Sequence, residues 1–278
     1  AAQRAWPLRD EPMSFFRPLA YLLCFLWARE HAAQSLAYFR PDATTDSAVE
    51  LAYAREGADR ARTAGAWPTS DFGWLFARQA DTQANFDAPE LAAGASERWS
   101  LALTGDGGAL VGWDLPPRVE DVALAELRSF LTERGGASAL TLLGPDLRRE
   151  SARVKLVRLE SLARHVRGAR ADGIVLTKSG QRMELRAMLD PAAAGPGKDL
   201  AFKLYLPPGG AENVLVRAVQ LETGAVVELR LADGVVRARL PVAGPWRLEA
   251  HRRRRAEGEL ELASATLVFE LPASGGGR

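Results

Sequence analysis

Cysteine is almost missing from this chain: Cys24 stands alone among 278 residues. No internal disulfide can form, and a cysteine-rich zinc site is excluded. Cys24 lies in LAYLLCFLWA and reads as a small buried hydrophobe. Histidine is nearly as scarce. His31, His165 and His251 lie far apart, and none has a metal-ligating residue three or four positions away. We therefore expect no metal and no cofactor. A charge excess is lacking too: 36 basic and 35 acidic groups leave +1, so no global field steers nucleic acid or acidic lipid toward the protein. Nucleic acid is thus not the expected partner, and a protein is. Long apolar runs are absent as well. Leu19–Ala28 is ten residues, against ~20 for a spanning helix. It reads as a buried core helix, with a membrane-dipping or partner-docking helix as the alternative.

The nucleophile elbow G-x-S-x-G and the phosphate loop G-x-x-x-x-G-K-[ST] do not occur. GDGGALVG carries the glycines of a phosphate cradle, but strand patterns flank it on both sides, whereas a cradle opens a helix. Ser179 in TKSGQ reads as a hairpin turn.

What is present is an ordinary globular composition, 47% hydrophobic and 26% charged, rich in alanine and arginine. The chain starts at Ala1, and MSFFRPLAYLLCFLWAREHAAQS from Met13 has the basic-then-apolar texture of a signal sequence with a poor cleavage site. The compartment stays open, with the periplasm or cell envelope favoured over the cytoplasm.

Three zones differ in texture. Residues 1–95 read as a helical module: Phe15, Leu19, Leu22, Leu23, Leu26 and Trp27 recur at helical spacing, and Val49, Ala52, Tyr53 and Ala61 fall on related faces of a second helix. Residues 96–190 read as a small α/β domain of order ββαβαββ. It opens with a hairpin about GDGG, with Leu110 opposite Leu101 and Leu103, and Pro116 and Pro117 end its second strand. Helices follow over VEDVALAELRSFLTERGG, with Leu124, Leu127 and Leu131 on one stripe, and over the segment containing Leu156, Leu159, Leu162, Ala163 and Val166. GIVLTKSGQRMELRAML then gives two more strands. Residues 198–272 hold short alternating runs separated by PPGG, ETG, ADG and AGP, the pattern of an antiparallel, immunoglobulin-like β-sandwich. Asp190–Asp199 reads as the linker before it, and 273–278 as a flexible tail. The expected fold class is α+β and multi-domain.

LALTGDGGALVG, RVEDVALAELRSFL, ALTLLGPDLRRES, VRLESLARHV and GIVLTK give residues 97–178 a resemblance to the soluble domain of the TolR/ExbD family of energy-transducing stators. The resemblance implies a small α/β fold and a habit of binding protein or envelope components. The family's transmembrane helix with its essential aspartate has no counterpart here, so no proton-coupling residue is carried over.

Two groups stand out as binding candidates. Trp67 and Trp74 flank Asp71, a ring-and-carboxylate pairing that suits sugars and equally suits a capped helix entry. Arg252, Arg253, Arg254 and Arg255 form the sharpest charge run; guanidiniums grip phosphates bidentately, but in a hairpin they alternate faces around a solvated turn. The function expected is a non-catalytic binding or structural subunit of a larger bacterial, envelope-associated assembly. One alternative is an enzyme with a site between the first two zones, built on Asp71, Asp106 and His165. Another is a nucleic-acid accessory protein using the Arg252–Arg255 turn.

Overall fold

The computed structural model describes residues 35–41, 48–55, 62–63, 74–79, 82–86, 100–102, 108–125, 127–128, 131, 153–166, 173–210, 213–256 and 259–273. Most of them are strand. In chain order these are β1 (Ser35–Pro41), β2 (Ala48–Arg55), β3 (Arg62–Thr63), β4 (Trp74–Gln79), β5 (Thr82–Phe86), β6 (Ser100–Ala102), β7 (Ala109–Ala123) and β8 (Arg153–Val166). After a 3-10 turn at Ile174–Leu176 come β9 (Glu184–Ala187), the one-turn helix α1 (Pro191–Ala194), β10 (Asp199–Tyr205), β11 (Val214–Gln220), β12 (Val226–Leu229), β13 (Leu231–Ala232), β14 (Val235–Arg239), β15 (Gly244–Ala256) and β16 (Glu259–Leu271).

Three sheets result. The largest has eight strands in the order β12-β11-β15-β16-β8-β7-β4-β5; a four-stranded sheet runs β13-β14-β10-β9; a third joins β1, β2 and β3, with β6 also on β2. Among the described strands, pairing is antiparallel except between β16 and β8, which run parallel. The four-stranded sheet lies on the eight-stranded one as a sandwich. Phe202 and Val236 from the former and Val216, Trp246, Leu248 and Leu267 from the latter share one core, and the Phe202 and Phe269 rings meet at 5.3 Å. Each such side chain contributes about 1.5–3 kcal/mol by leaving water.

The expected helical module and α/β domain are overturned. β1, β2, β4 and β5 stand where helices were expected, and β8 occupies the whole of the second zone's later helix. The reason is tertiary. In β2, AVELAYAR alternates Val49, Leu51 and Tyr53 with Ala48, Glu50, Ala52 and Ala54, and alanine's helix preference yields to pairing with β1 on one side and β3 and β6 on the other. β8 lies between β7 and β16. Its sequence places apolar residues in both phases of a strand's alternation, Leu156 and Leu162 in one and Val157 and Leu159 in the other, so helical and strand periods fit it equally.

The GDGG hairpin is overturned as well. β6 pairs with β2, whereas β7 pairs with β4 and β8, so Leu110 lies opposite Arg78 and His165 rather than Leu101 or Leu103. Nor do Pro116 and Pro117 end β7. They occupy its register break between Leu115 and Arg118, where a residue without an N–H costs the ladder nothing. Helix begins only after Ala123, and Leu124, Leu127 and Leu131 are buried there on their expected stripe.

The C-terminal strands β10 to β16 fall where the alternation places them. The immunoglobulin-like outline does not hold, because β8, β7, β4 and β5 continue the larger sheet beyond β16. That sheet draws strands from all three sequence zones. The Asp190–Asp199 stretch is also ordered: Asp190 caps α1 by accepting the Ala192 N–H at 2.9 Å, and the Gly197 N–H donates to Leu240 O at 2.7 Å. Among the described residues no helix is long and apolar enough to cross a membrane; Leu19–Ala28 lies outside them.

Candidate functional site

β15 holds a run of buried polar side chains. Its sequence, GPWRLEAHRRRRA, puts Trp246, Leu248 and Ala250 into the sandwich core. Strand alternation then turns Arg247, Glu249, His251 and Arg253 to the opposite face of the larger sheet. There Glu249 is fully buried, at 0% exposure. Arg217 on β11 is its direct register partner and donates Nε to Oε2 at 2.6 Å. Arg247 donates Nε to Oε1 at 2.5 Å, and its Nη2 contacts the same oxygen. His251 Nε2 lies 3.2 Å from Oε2; since an ionised carboxylate only accepts, the imidazole is the donor.

Burial by itself would raise the Glu249 carboxyl, but Arg247, the His251 hydrogen bond and Arg217 outweigh it and hold the group well below its ordinary value of 4.5. Such a carboxylate stays ionised at neutral pH and accepts from three side chains, so it is a poor proton acceptor for catalysis.

The four-arginine run lies just beyond, and its members alternate faces as a hairpin requires. Arg252 is 1% exposed and Arg253 3%, while Arg255 is exposed. Arg252 and Arg254 share the β16 residue Glu261. Arg252 Nη2 donates to Oε1 at 2.7 Å, Arg254 Nε to Oε1 at 2.8 Å and Arg254 Nη2 to Oε2 at 2.7 Å. Their Nη1 groups close over the loop after β10: Arg252 Nη1 reaches Pro207 O at 2.6 Å and Arg254 Nη1 reaches Pro208 O at 2.8 Å. The two guanidiniums hold Glu261 below its ordinary value, Arg254's hydrogen bond first, against a smaller opposing effect of burial. Arg252 and Arg254 thus hold a loop rather than present a phosphate grip.

A second polar cluster surrounds residues 178–184. Ser179 is buried in a loop between the 3-10 turn and β9, not in a two-residue hairpin. Glu184 accepts the Ser179 and Gly180 amides at 2.6 and 3.0 Å. Asp114, buried on β7, accepts Gln181 Nε2 at 3.2 Å and the Arg182 amide at 3.0 Å. Arg78 on β4 donates to Lys178 O and Ser179 O at 2.7 and 2.8 Å. Backbone amides and side-chain donors therefore engage both carboxylates.

Of the other residues singled out from sequence, Trp74 is half-buried on β4, its ring 4.6 Å from that of Phe76. His165 is on strand β8 instead of near a helix end, opposite Leu110. Trp67, Asp71 and Asp106 lie outside the described residues. Among the described residues no group of three or more His, Cys, Asp or Glu is arranged to hold a metal. Sequence reasoning passed over Glu249, Arg217 and Asp114. The one visible signal was RLEAHR, with charge in every second position of a strand. No protein-family model matches the chain, and no curated protein matches it either.

Proposed function

We propose that this chain is a non-catalytic binding or structural subunit of a larger bacterial assembly at the cell envelope. One observation carries the reading: Glu249, Glu261, Asp114 and Glu184 all have their oxygens engaged by guanidinium, imidazole, carboxamide or backbone donors. General acid–base work needs a carboxyl group or imidazole poised near neutrality and open to a substrate proton. A carboxylate closed by internal donors contributes order to the sheet instead, and recognition is left to the surface.

The test is isolation from the native source under mild conditions, followed by mass measurement. Recovery in a stoichiometric complex well above the 30.1 kDa of the chain is expected. A bare 30.1 kDa monomer overturns the reading. So does substrate turnover that disappears on Glu249→Gln in a variant that keeps its fold.

A further inference from the structure

The outer face of the smaller sheet carries more basic than acidic side chains among the described residues. On β10 the burial alternates, with Leu200, Phe202 and Leu204 turned inward and Lys203 and Tyr205 outward. Arg186 on β9 is the direct register partner of Lys203. On β14, Arg237 is exposed and lies opposite Ala201. From the neighbouring loop Lys178 sets its Nζ 4.5 Å from the centre of the Tyr205 ring, and the Arg186 guanidinium is 5.5 Å from it.

Four cations thus share one face, and among the described residues none of them has a carboxylate within ion-pairing distance. Two of the nearby carboxylates are engaged elsewhere, and Lys203 Nζ reaches the Asp233 backbone carbonyl at 3.1 Å. Asp199 is matched to Arg239 through two bonds of 3.0 Å, and Glu184 is buried against the Ser179 and Gly180 amides.

We propose that this face docks on the surface of an anionic bilayer, its cations meeting lipid phosphates. Charge complementarity supplies the attraction. An apolar side chain stands in the same field: the Met188 amide continues the β9–β10 pairing by donating to Ala201 O at 2.8 Å, and Met188 is 43% exposed. An exposed aliphatic among cations suits the headgroup boundary, where apolar contact and charge act together. A nucleic-acid strand would need a ring free for its bases to stack on, and Tyr205 is already engaged by two cations. The inference stands apart from the assembly reading, since docking on a bilayer does not require a protein partner.

The experiment is co-sedimentation of the full chain with vesicles of phosphatidylcholine alone and of phosphatidylcholine mixed with phosphatidylglycerol. Binding is expected only to the mixed vesicles, falling as salt rises. Each basic group near such a surface is worth about fivefold in partitioning. Arg237→Gln should therefore weaken binding about fivefold, and K178Q/R237Q about 25-fold; both residues are exposed, and Lys203→Gln serves as an independent third variant. Arg255→Gln, on the opposite face of the larger sheet, should leave binding unchanged. Equal binding to both vesicle types, indifference to the three variants, or an equal loss with Arg255→Gln overturns the proposal. Binding to duplex DNA without binding to the mixed vesicles also overturns it, and assigns the face to nucleic acid.

Discussion

Gly209 shows how tightly the arginine pair closes on its loop. Its φ of +110° is one that side-chain-bearing residues rarely adopt, and a Cβ there would strike Arg254 Nη1. Gly209→Ala should cost about 1–3 kcal/mol from backbone strain and the displaced guanidinium. The check is urea unfolding, in which the midpoint falls at unchanged slope; an unchanged midpoint would show the loop free of Arg254. The arginine run itself was plain in the sequence. Its partners were not, because Pro207 and Pro208 act through carbonyls that every residue has, and Glu261 becomes a partner only through the β15–β16 register. Glu249 was harder still. Charges at Arg247, Glu249 and His251 alternate with Leu248 and Ala250, which is how a solvent-facing edge reads. The burial of Arg247 and Glu249 is a tertiary outcome, and only the β11 register brings Arg217 across.

At the level of elements, β4 and β7 are fitted to each other at one point. Phe76 and Gly112 are register partners, and the Phe76 ring fills the space that a Gly112 side chain would take. Gly112→Ala should therefore cost about 1–3 kcal/mol by overpacking. With Phe76→Leu already in place, the same change should cost clearly less, because two residues in contact do not act additively. A full double-mutant cycle by denaturant unfolding measures this, and strict additivity would contradict the contact.

Legibility differed between elements for a similar reason. β10 and β14 were readable because one face is buried and the other open or half-open, which imposes a period of two, and turn glycines punctuate them. β8 was not, since its apolar residues fall in both phases, Leu156 and Leu162 in one and Val157 and Leu159 in the other, and give no clean period of two. β7 was misread at its prolines, which mark a register break as well as they mark an end. The stripe of Leu124, Leu127 and Leu131 was correctly read as helical, but its start was placed too early, because nothing local distinguishes the end of a long strand from a helix entry.

For the molecule as a whole, the eight-stranded sheet determines how the chain should unfold. Strands distant in sequence, β4 and β16 among them, belong to one hydrogen-bonded surface, and the parallel β8–β16 pair joins its halves. Calorimetry should show one main transition, with calorimetric and van't Hoff enthalpies in agreement; two well-separated transitions would mean that the halves fold independently.

The account rests on interior charges holding this sheet together, and Glu249 is the strongest case. A carboxyl held below 4.5 in the folded state stabilises the fold fully above that pH, and its contribution is lost as pH falls through the folded value. Unfolding free energy measured against pH for the native chain and for Glu249→Gln tests the claim directly. The variant should be less stable by about 3–5 kcal/mol at pH 7, because two guanidiniums lose their buried counter-charge. The gap should narrow as pH drops below 4.5. Equal stability at pH 7, with parallel profiles into acid, would contradict the account.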